Sequence, residues 1–329
     1  MSTHAGFPVL SDLEVSRLMP PYQDLHRVLS KVMRDCTDKK LVQPVRQMLT
    51  VPGTSDRFIS MPAIVPSLGV MGIKVVCAVP SNKERDLPTH LGSIQLYNLT
   101  GELVCQMEAG EITAKRTAVV SAVATTALAN PLSRNLAVLG AGVQAESHIW
   151  ALRGWYPLQK VTIWNRTRSR ADELASKVAL EDGDGGRSNY LECVVADSIE
   201  AACRDADIIC TVTGSSTPLL FRHHVKLGAH INCVGASTAS TRELADDIML
   251  DERVLLYVDS LEAARVEAGD VVMSGAVPKG EIGSLLDEGT QNSAYDSSRI
   301  TVFKNLGLAC QDVATAHLVH QNLLRSNPT

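Results

Sequence analysis

Ten residues, Leu136-Ala-Val-Leu-Gly140-Ala-Gly142-Val-Gln-Ala145, carry the clearest chemical signal in the chain. A short apolar run enters the spacing G-x-G-x-x-A, a turn suited to a dinucleotide. Gly140 permits the tight turn off a strand. Gly142 has no side chain, so a pyrophosphate can approach the backbone. Ala145 is small enough for a helix to lie close to that strand. The phosphates would then sit at a helix N-terminus, where unbonded N–H groups and the helix dipole favour negative charge. The turn has the context it needs. A strand at Leu136–Leu139, a helix over Val143–Leu152 and a strand over Lys160–Thr167 make a βαβ unit of about 30 residues.

The end of the second strand selects the cofactor. An NAD site usually places Asp or Glu about 20 residues past the glycines, on the ribose 2′-hydroxyl. Here that place holds Asn165-Arg166-Thr167-Arg168, followed by Arg170. A carboxylate repels a 2′-phosphate, whereas an arginine pairs with it through charge-assisted hydrogen bonds. The expectation is NADPH, with NADH possible. The alternative is that these arginines only cap a strand end in solvent.

Three cations in the first half could hold an anion. Arg46 ends Val42-Gln-Pro-Val-Arg46, Lys74 interrupts the apolar run Met71–Cys77, and Arg116 lies at a helix start in Thr113-Ala-Lys-Arg-Thr117. A lysine in a buried strand is costly unless it meets an anion. Arginine grips a carboxylate in a bidentate manner. Spacing alone does not show that the three converge. A solvated strand end, a structural ion pair and a solvated helix end are the plainer readings of Arg46, Lys74 and Arg116.

The elements that would position these groups fall into two sets. Residues 1 to 35 read as one amphipathic helix, with Tyr22, Leu25, Val28, Leu29 and Val32 at helical spacing. Strands follow at Val42–Val51, Arg57–Pro62, Met71–Val79, Ser93–Asn98 and Leu103–Glu108, punctuated by Pro, Gly, Asn and Ser. This is an antiparallel sheet within an α+β domain. A long alanine-rich helix runs from Glu111 to Ala129, stopped by Asn130-Pro131. Beyond it lies a Rossmann pattern, a doubly wound parallel sheet of class α/β. Helix Ser169–Leu180 precedes an Asp-, Gly- and Ser-rich gap, Glu181–Asn189, expected to be an exposed loop. Strands are expected at Leu191–Val195, Asp207–Val212, His230–Val234, Val254–Asp259 and Ile300–Phe303. A last helix covers Gly307–Leu324.

Composition narrows the function classes. With 329 residues the chain is too long for one core. A net charge of −5 and the lack of a basic block argue against nucleic acid as partner. The N-terminus has no signal-peptide pattern, and no apolar run approaches a membrane span. Eight scattered cysteines, with no C-x-x-C, read as small buried residues in a reducing cytoplasm, not as disulfides or a metal site. His317-x-x-His320 has metal-like spacing and reads as a surface pair.

Taken together, several stretches resemble the ornithine cyclodeaminase/mu-crystallin family, and most its mu-crystallin (ketimine reductase) branch. They are Val42-Gln-Pro-Val-Arg46, Met61-Pro62, Leu87-Pro-Thr-His90, Ile112-Thr-Ala-Lys-Arg-Thr-Ala118, Leu139-Gly-Ala-Gly-Val-Gln-Ala145, Trp164-Asn-Arg-Thr167, His230-Ile-Asn-Cys-Val-Gly-Ala-Ser237, Leu256-Tyr-Val-Asp-Ser260 and Thr301-Val-Phe-Lys-Asn-Leu-Gly307. They span nearly the whole chain in order. The resemblance implies a homodimer with a substrate-binding and dimerisation domain over residues 1–118, joined by the C-terminal helix 307–329. It also implies an NADP-binding domain over 119–306, with the active site between the two. It matches Arg46, Lys74 and Arg116 to basic residues facing a substrate carboxylate. Thr89, His90, Val143, Gln144, Asn165, Arg166, Thr167, Thr211, Thr213, Val234, Ser237 and Asn305 match cofactor contacts.

Departures from the family pattern choose the branch. Ornithine cyclodeaminases carry an aspartate where this chain has Ser237, which here is expected to face substrate. They also carry a glutamate just before Met-Pro, where this chain has Phe58-Ile-Ser60. Without those acids a cationic amino acid fits poorly, and an alanine-dehydrogenase activity is disfavoured. A cyclic imine with one carboxylate fits better. The resemblance therefore implies NADPH-dependent reduction of Δ1-piperideine-2-carboxylate to pipecolate and of Δ1-pyrroline-2-carboxylate to proline, with sulfur-containing rings also plausible. Water or a side chain, Lys74 among the candidates, would protonate the imine. The rival readings are an ornithine cyclodeaminase and a non-catalytic, NADPH-dependent thyroid-hormone-binding protein.

Overall fold

Proline placement decides the start of the chain. The single helix expected over residues 1 to 35 is instead two strands, β1 (Ser2–His4) and β2 (Phe7–Leu10), and two helices, α1 (Asp12–Leu18) and α2 (Tyr22–Thr37). Pro20 and Pro21 cause the break. Met19, ahead of the first, is driven out of helical geometry to φ −62°, ψ 128°. Ser11 and Glu14 start α1 with reciprocal side-chain-to-backbone hydrogen bonds, the capping-box arrangement. The computed structural model describes residues 2–4, 6–184, 191–286 and 294–326. The chain divides into two units, Met1–Arg116 with Leu308–Thr329, and Thr117–Gly307.

The first unit holds β3 (Gln47–Thr50), β4 (Arg57–Val65), β5 (Val70–Ala78), β6 (His90–Asn98), β7 (Leu103–Glu108) and the first turns of α3 (Gly110–Leu128), whose residues from Thr117 on belong to the second unit. The seven strands form one sheet in the order β1-β2-β7-β6-β5-β4-β3. All neighbours are antiparallel except β2 and β7, which run parallel, so the sheet is mixed. Strand alternation gives it two faces. One face carries Met61, Ala63, Val65, Ile94 and Leu96, all buried. It packs against the C-terminal helix (Ala309–Ser326), which also packs on α2. On the opposite face, Leu49, Phe58, Cys77 and Leu91 stand directly opposed across four strands. That row stays open, with Leu49 66%, Phe58 46% and Leu91 53% exposed.

The second unit follows the βα pattern. β8 (Asn135–Leu139), α4 (Val143–Arg153), β9 (Lys160–Trp164), α5 (Arg168–Asp184), β10 (Glu192–Val195), α6 (Ile199–Cys203) and β11 (Ile208–Thr211) come first. β12 (His230–Cys233), α7 (Asp246–Met249), β13 (Val254–Val258), α8 (Leu261–Glu267), α9 (Gly269–Ser274), β14 (Gly280–Glu281) and β15 (Ile300–Lys304) complete it, and the C-terminal helix is α10. The sheet order is β10-β9-β8-β11-β12-β15-β13-β14, parallel throughout. Order reverses between β8 and β11, the switch point where open α/β sheets bind ligands.

Two sequence expectations change here. The two-residue strand β14 was not anticipated; it is too short to show a period. The gap expected over Glu181–Asn189 begins as helix, because α5 continues to Asp184. Asp182 explains this: its buried carboxylate pairs with Arg153 at 3.1 Å and accepts the Leu191 N–H at 3.0 Å. The rest of that gap lies outside the described residues. The eight cysteines form no disulfide.

Candidate active site

The glycine turn is built as its residue types require. Gly140 has φ +125°, and a Cβ there would lie 2.8 Å from the Val212 carbonyl oxygen. Only glycine fits so close an approach at positive φ. Gly142 has φ −101° and caps α4 without a side chain. A Cβ there would meet nothing within 4 Å. Its lack of a side chain therefore answers no demand from the protein itself. Ala145 is fully buried against the strand, and Val143 at the helix start is exposed.

After β9, the Asn165 amide donates to the Thr167 carbonyl at 2.8 Å, closing a short turn. Arg168 pairs with Asp172 and with Asp197. Arg166 and Arg170 are exposed and, among the described residues, take part in no ion pair. No acid occupies the end of β9.

The ends of β11, β12 and β15 carry the other expected cofactor residues of the second unit, and two buried networks lie among them. Glu243 is fully buried. It accepts hydrogen bonds from Thr211 Oγ1 (2.7 Å), Thr213 N (2.6 Å), Thr213 Oγ1 (2.7 Å) and Gly235 N (2.8 Å). Burial raises its pKa, while nearby Lys304 and the threonine hydrogen bonds oppose the rise. Thr211 is itself fully buried, its hydroxyl committed to that acid. Val234 is buried, and Ser237 is half-buried with its N–H on the Gly235 carbonyl at 3.0 Å.

Asn305 belongs to the second network. Its Nδ2 donates to the Thr117 carbonyl and to Ser121 Oγ, both at 3.1 Å, and its buried Oδ1 has no hydrogen-bond partner. His148 lies 2.9 Å from Ser121 Oγ through Nε2 and 2.7 Å from the Gln144 carbonyl through Nδ1. A carbonyl can only accept, so Nδ1 carries the proton and Nε2 accepts from Ser121. Burial lowers the His148 pKa to about 4, which keeps the ring neutral.

The cation cluster lies in the first unit. Alternation along β5 turns Lys74 to the buried face, directly between Met61 of β4 and Ile94 of β6. Lys74 Nζ donates to Thr113 Oγ1 at 2.6 Å and to Asp312 Oδ1 at 3.0 Å. Arg116 Nε donates to the same Asp312 oxygen at 2.9 Å, and its Nη1 to Gln311 Oε1 at 2.9 Å. Lys74 and Arg116 are thus brought together, 3% and 5% exposed. Half-buried Arg46 is close enough for its charge to act on Lys74. Burial lowers the Lys74 pKa; Asp312 opposes this, and Arg116 and Arg46 add to it. Burial works to raise the Asp312 pKa, but Arg116 and Lys74 outweigh it and hold the carboxyl ionised. Thr89 Oγ1 lies 3.1 Å from His90 Nδ1 at the start of β6. Partial burial, and secondarily the charge of Lys74, lower the His90 pKa.

Comparison with known proteins bears on this arrangement. The family model described as Ornithine cyclodeaminase/mu-crystallin family matches residues 9–327. The chain belongs to the ornithine cyclodeaminase/mu-crystallin family. It is 39% identical over 308 residues to the ketimine reductase mu-crystallin of Rattus norvegicus, covering 93% of this chain and 92% of that one. Among solved structures it is similar to the Δ1-pyrroline-2-carboxylate reductase of Thermococcus litoralis, solved with NADH and L-proline. That match has 27% identity and a TM-score of 0.88, and covers 97% of this chain and 98% of that one. It is also similar to an archaeal alanine dehydrogenase dimer with bound NAD, at 26% identity and a TM-score of 0.86, covering 98% of this chain and 97% of that one.

Asp312, Gln311 and Glu243 are the residues of this family member that sequence reasoning missed. Asp312 and Gln311 give the same signal that flagged Lys74: a polar pair inside the apolar run Leu306–Ala316. Glu243, in Ser240-Thr-Arg-Glu-Leu244, gives no comparable signal.

Proposed function

We propose that this protein reduces cyclic ketimine carboxylates with NADPH, converting Δ1-piperideine-2-carboxylate to pipecolate and Δ1-pyrroline-2-carboxylate to proline, with sulfur-containing rings also accepted. One observation carries the reading: buried Lys74 and Arg116 converge on a single oxygen of Asp312, and the charge of Arg46 acts on Lys74. Lys74 and Arg116 share one acid, and the positive charge left on that pair favours an anion such as a ring carboxylate. NADPH is preferred because Arg166 and Arg170 are exposed and outside any described ion pair, with no acid at the end of β9. The relatives named as ketimine and pyrroline-2-carboxylate reductases support the substrate class.

In this reading Gly140, Gly142, Val143 and Gln144 hold the pyrophosphate, while Asn165, Arg166, Thr167 and Arg170 hold the adenosine ribose and its 2′-phosphate. Thr89, His90, Thr211 and Thr213 are further candidate cofactor contacts, and Val234, Ser237 and Asn305 belong to the nicotinamide side, with Ser237 also facing substrate. Hydride chemistry comes from the bound nicotinamide; the chain supplies orientation and charge. Arg46, Lys74 and Arg116 fix the carboxylate and so the C=N bond beside it, and such positioning is worth several kcal/mol of barrier. Lys74 Nζ would give a proton to the ring nitrogen of the bound ketimine. The C=N π pair becomes the new N–H bond, and Lys74 regains its proton from water.

The first unit is the substrate-binding and dimerisation part, and the second binds NADP. Homodimer formation is supported by the open apolar row Leu49, Phe58, Leu91 and by the dimeric alanine dehydrogenase. A cytoplasmic setting suits eight cysteines outside disulfides. No described helix is long and apolar enough to cross a membrane. The test is NADPH oxidation followed by absorbance across piperideine-, pyrroline- and thia-ring carboxylates, with ornithine as comparison. Flat traces for every ring would remove the reading; ammonia release from ornithine would replace it.

A further inference from the structure

The mechanism above uses three cations and leaves Asp312 without a task, although it is the acid they share. We propose that Asp312 is a positioning residue: it fixes Lys74 and Arg116 as one array aimed at a single carboxylate, and it keeps Lys74 protonated while the array is empty. This rests on the ketimine-carboxylate reading.

The geometry carries the proposal. Asp312 is fully buried on α10, and its Oδ1 alone accepts from both Lys74 Nζ at 3.0 Å and Arg116 Nε at 2.9 Å. One oxygen thereby sets the separation of the two cations. Its Oδ2 is buried with no hydrogen-bond partner. An ionised carboxylate so poorly bonded is tolerated in the interior only because two cations stand on it. Acid and cations are therefore mutually dependent, and neither turns easily toward another partner. Thr113 Oγ1 takes a further Lys74 N–H at 2.6 Å and itself donates to the Ala109 carbonyl, so the ammonium is held from α3 and α10 together.

Among the described residues, the charges that act most on Lys74 are Asp312, Arg116 and Arg46. β4 presents apolar Met61 and β6 presents Ile94, with His90 further along the same strand. α3 presents Arg116, α10 presents Asp312 beside neutral Gln311, and the segment before β3 presents Arg46. Asp312 is the negative member of that set. Without it, burial and two guanidinium groups all act to strip the proton from Lys74.

The test compares Asp312→Asn and Asp312→Glu in the full-length protein. The pH profile of kcat/KM for Δ1-piperideine-2-carboxylate reports the charge of Lys74. NADPH affinity, read by nucleotide fluorescence, reports the second unit. Loss of an opposite charge this close lowers a lysine pKa by on the order of one to three units. D312N is expected to move the alkaline limb of kcat/KM down by at least one pH unit, with NADPH affinity held within about twofold, whereas D312E, which keeps the charge, restores the wild-type limb. A D312N limb at the wild-type position, or a D312E limb displaced like that of D312N, overturns the proposal. If D312N does not fold, D312E carries the test: it keeps the wild-type limb and loses kcat/KM by about tenfold or more through misplacement. A shifted limb in D312E overturns the proposal. A wild-type protein that neither reduces ring carboxylates nor binds pyrrole-2-carboxylate sinks the functional reading instead, so the two failures are separable.

Discussion

Replacing Arg166 or Arg170 by alanine tests the choice of cofactor. Both are exposed, and neither is engaged in an ion pair among the described residues, so each is available to a 2′-phosphate. A hydrogen bond to a charged group contributes about 1.5–3 kcal/mol, and each 1.4 kcal/mol is tenfold in affinity, so one arginine accounts for about 10- to 100-fold. Exposure and salt screening place the expected loss near the lower end, about tenfold for each single variant and more for the pair. NADH has no 2′-phosphate, and its affinity should change by less than about twofold on the same scale. Arg168 is the internal control. It already serves Asp172 and Asp197, so Arg168→Ala should leave the NADPH-to-NADH ratio nearly unchanged. The assay is nucleotide fluorescence titration of the wild type and the four variants at one ionic strength. Equal weakening of NADPH and NADH, or an R168A effect as large as that of R166A, would refute the assignment of these arginines to the 2′-phosphate.

The two glycines of the turn should respond differently to alanine. At Gly140, φ +125° and a Cβ 2.8 Å from the Val212 carbonyl oxygen predict a loss of roughly 1–3 kcal/mol or more in urea unfolding. At Gly142 the space is open and φ ordinary, so stability should hold while NADPH affinity falls; a stable G140A or a strongly destabilised G142A would contradict this. Lys74, its pKa lowered by burial to about 8, should give kcat/KM an alkaline limb near that pH, since the charged form binds and protonates the substrate. Between that value and the ordinary 10.5 the unfolded chain holds the proton that the folded one has released, so this group makes stability rise with pH there, and lost activity should not coincide with unfolding in a circular-dichroism titration. Phe58→Glu, in the open row of the first sheet, should shift sedimentation from dimer to monomer; an unchanged sedimentation coefficient would place the dimer contact elsewhere.

The glycine turn was legible because its residue types are dictated by backbone geometry within ten residues, and Gly140 shows why no other type fits. The parallel sheet was legible for a similar reason: β8, β11 and β15 are short, mainly apolar runs buried along nearly their whole length. Lys74 announced itself by placing a charge inside the apolar run Met71–Cys77. What it met was hidden, because Asp312 lies 238 positions away in sequence and only the fold pairs them. The N-terminal segment failed for a different cause. Apolar spacing across 1 to 35 suggests one helix, but Pro20-Pro21 and the Ser11…Glu14 cap are the local signals that settle its boundaries. The helical start of the gap after Leu180 escaped because Asp182 looks like a loop acid until Arg153 is seen beneath it.

The lateness of Asp312 in the chain has a consequence for biosynthesis. Lys74 and Arg116 leave the ribosome long before the acid that neutralises them, so a polypeptide stopped short of residue 312 carries two interior cations with no counter-ion. Stranding a charge in this way costs about 3–5 kcal/mol, a large part of the stability of an ordinary domain. Truncated products should therefore fail to close their first unit and be cleared by proteases, which makes completion of the last helix a checkpoint on the synthesis of the whole polypeptide.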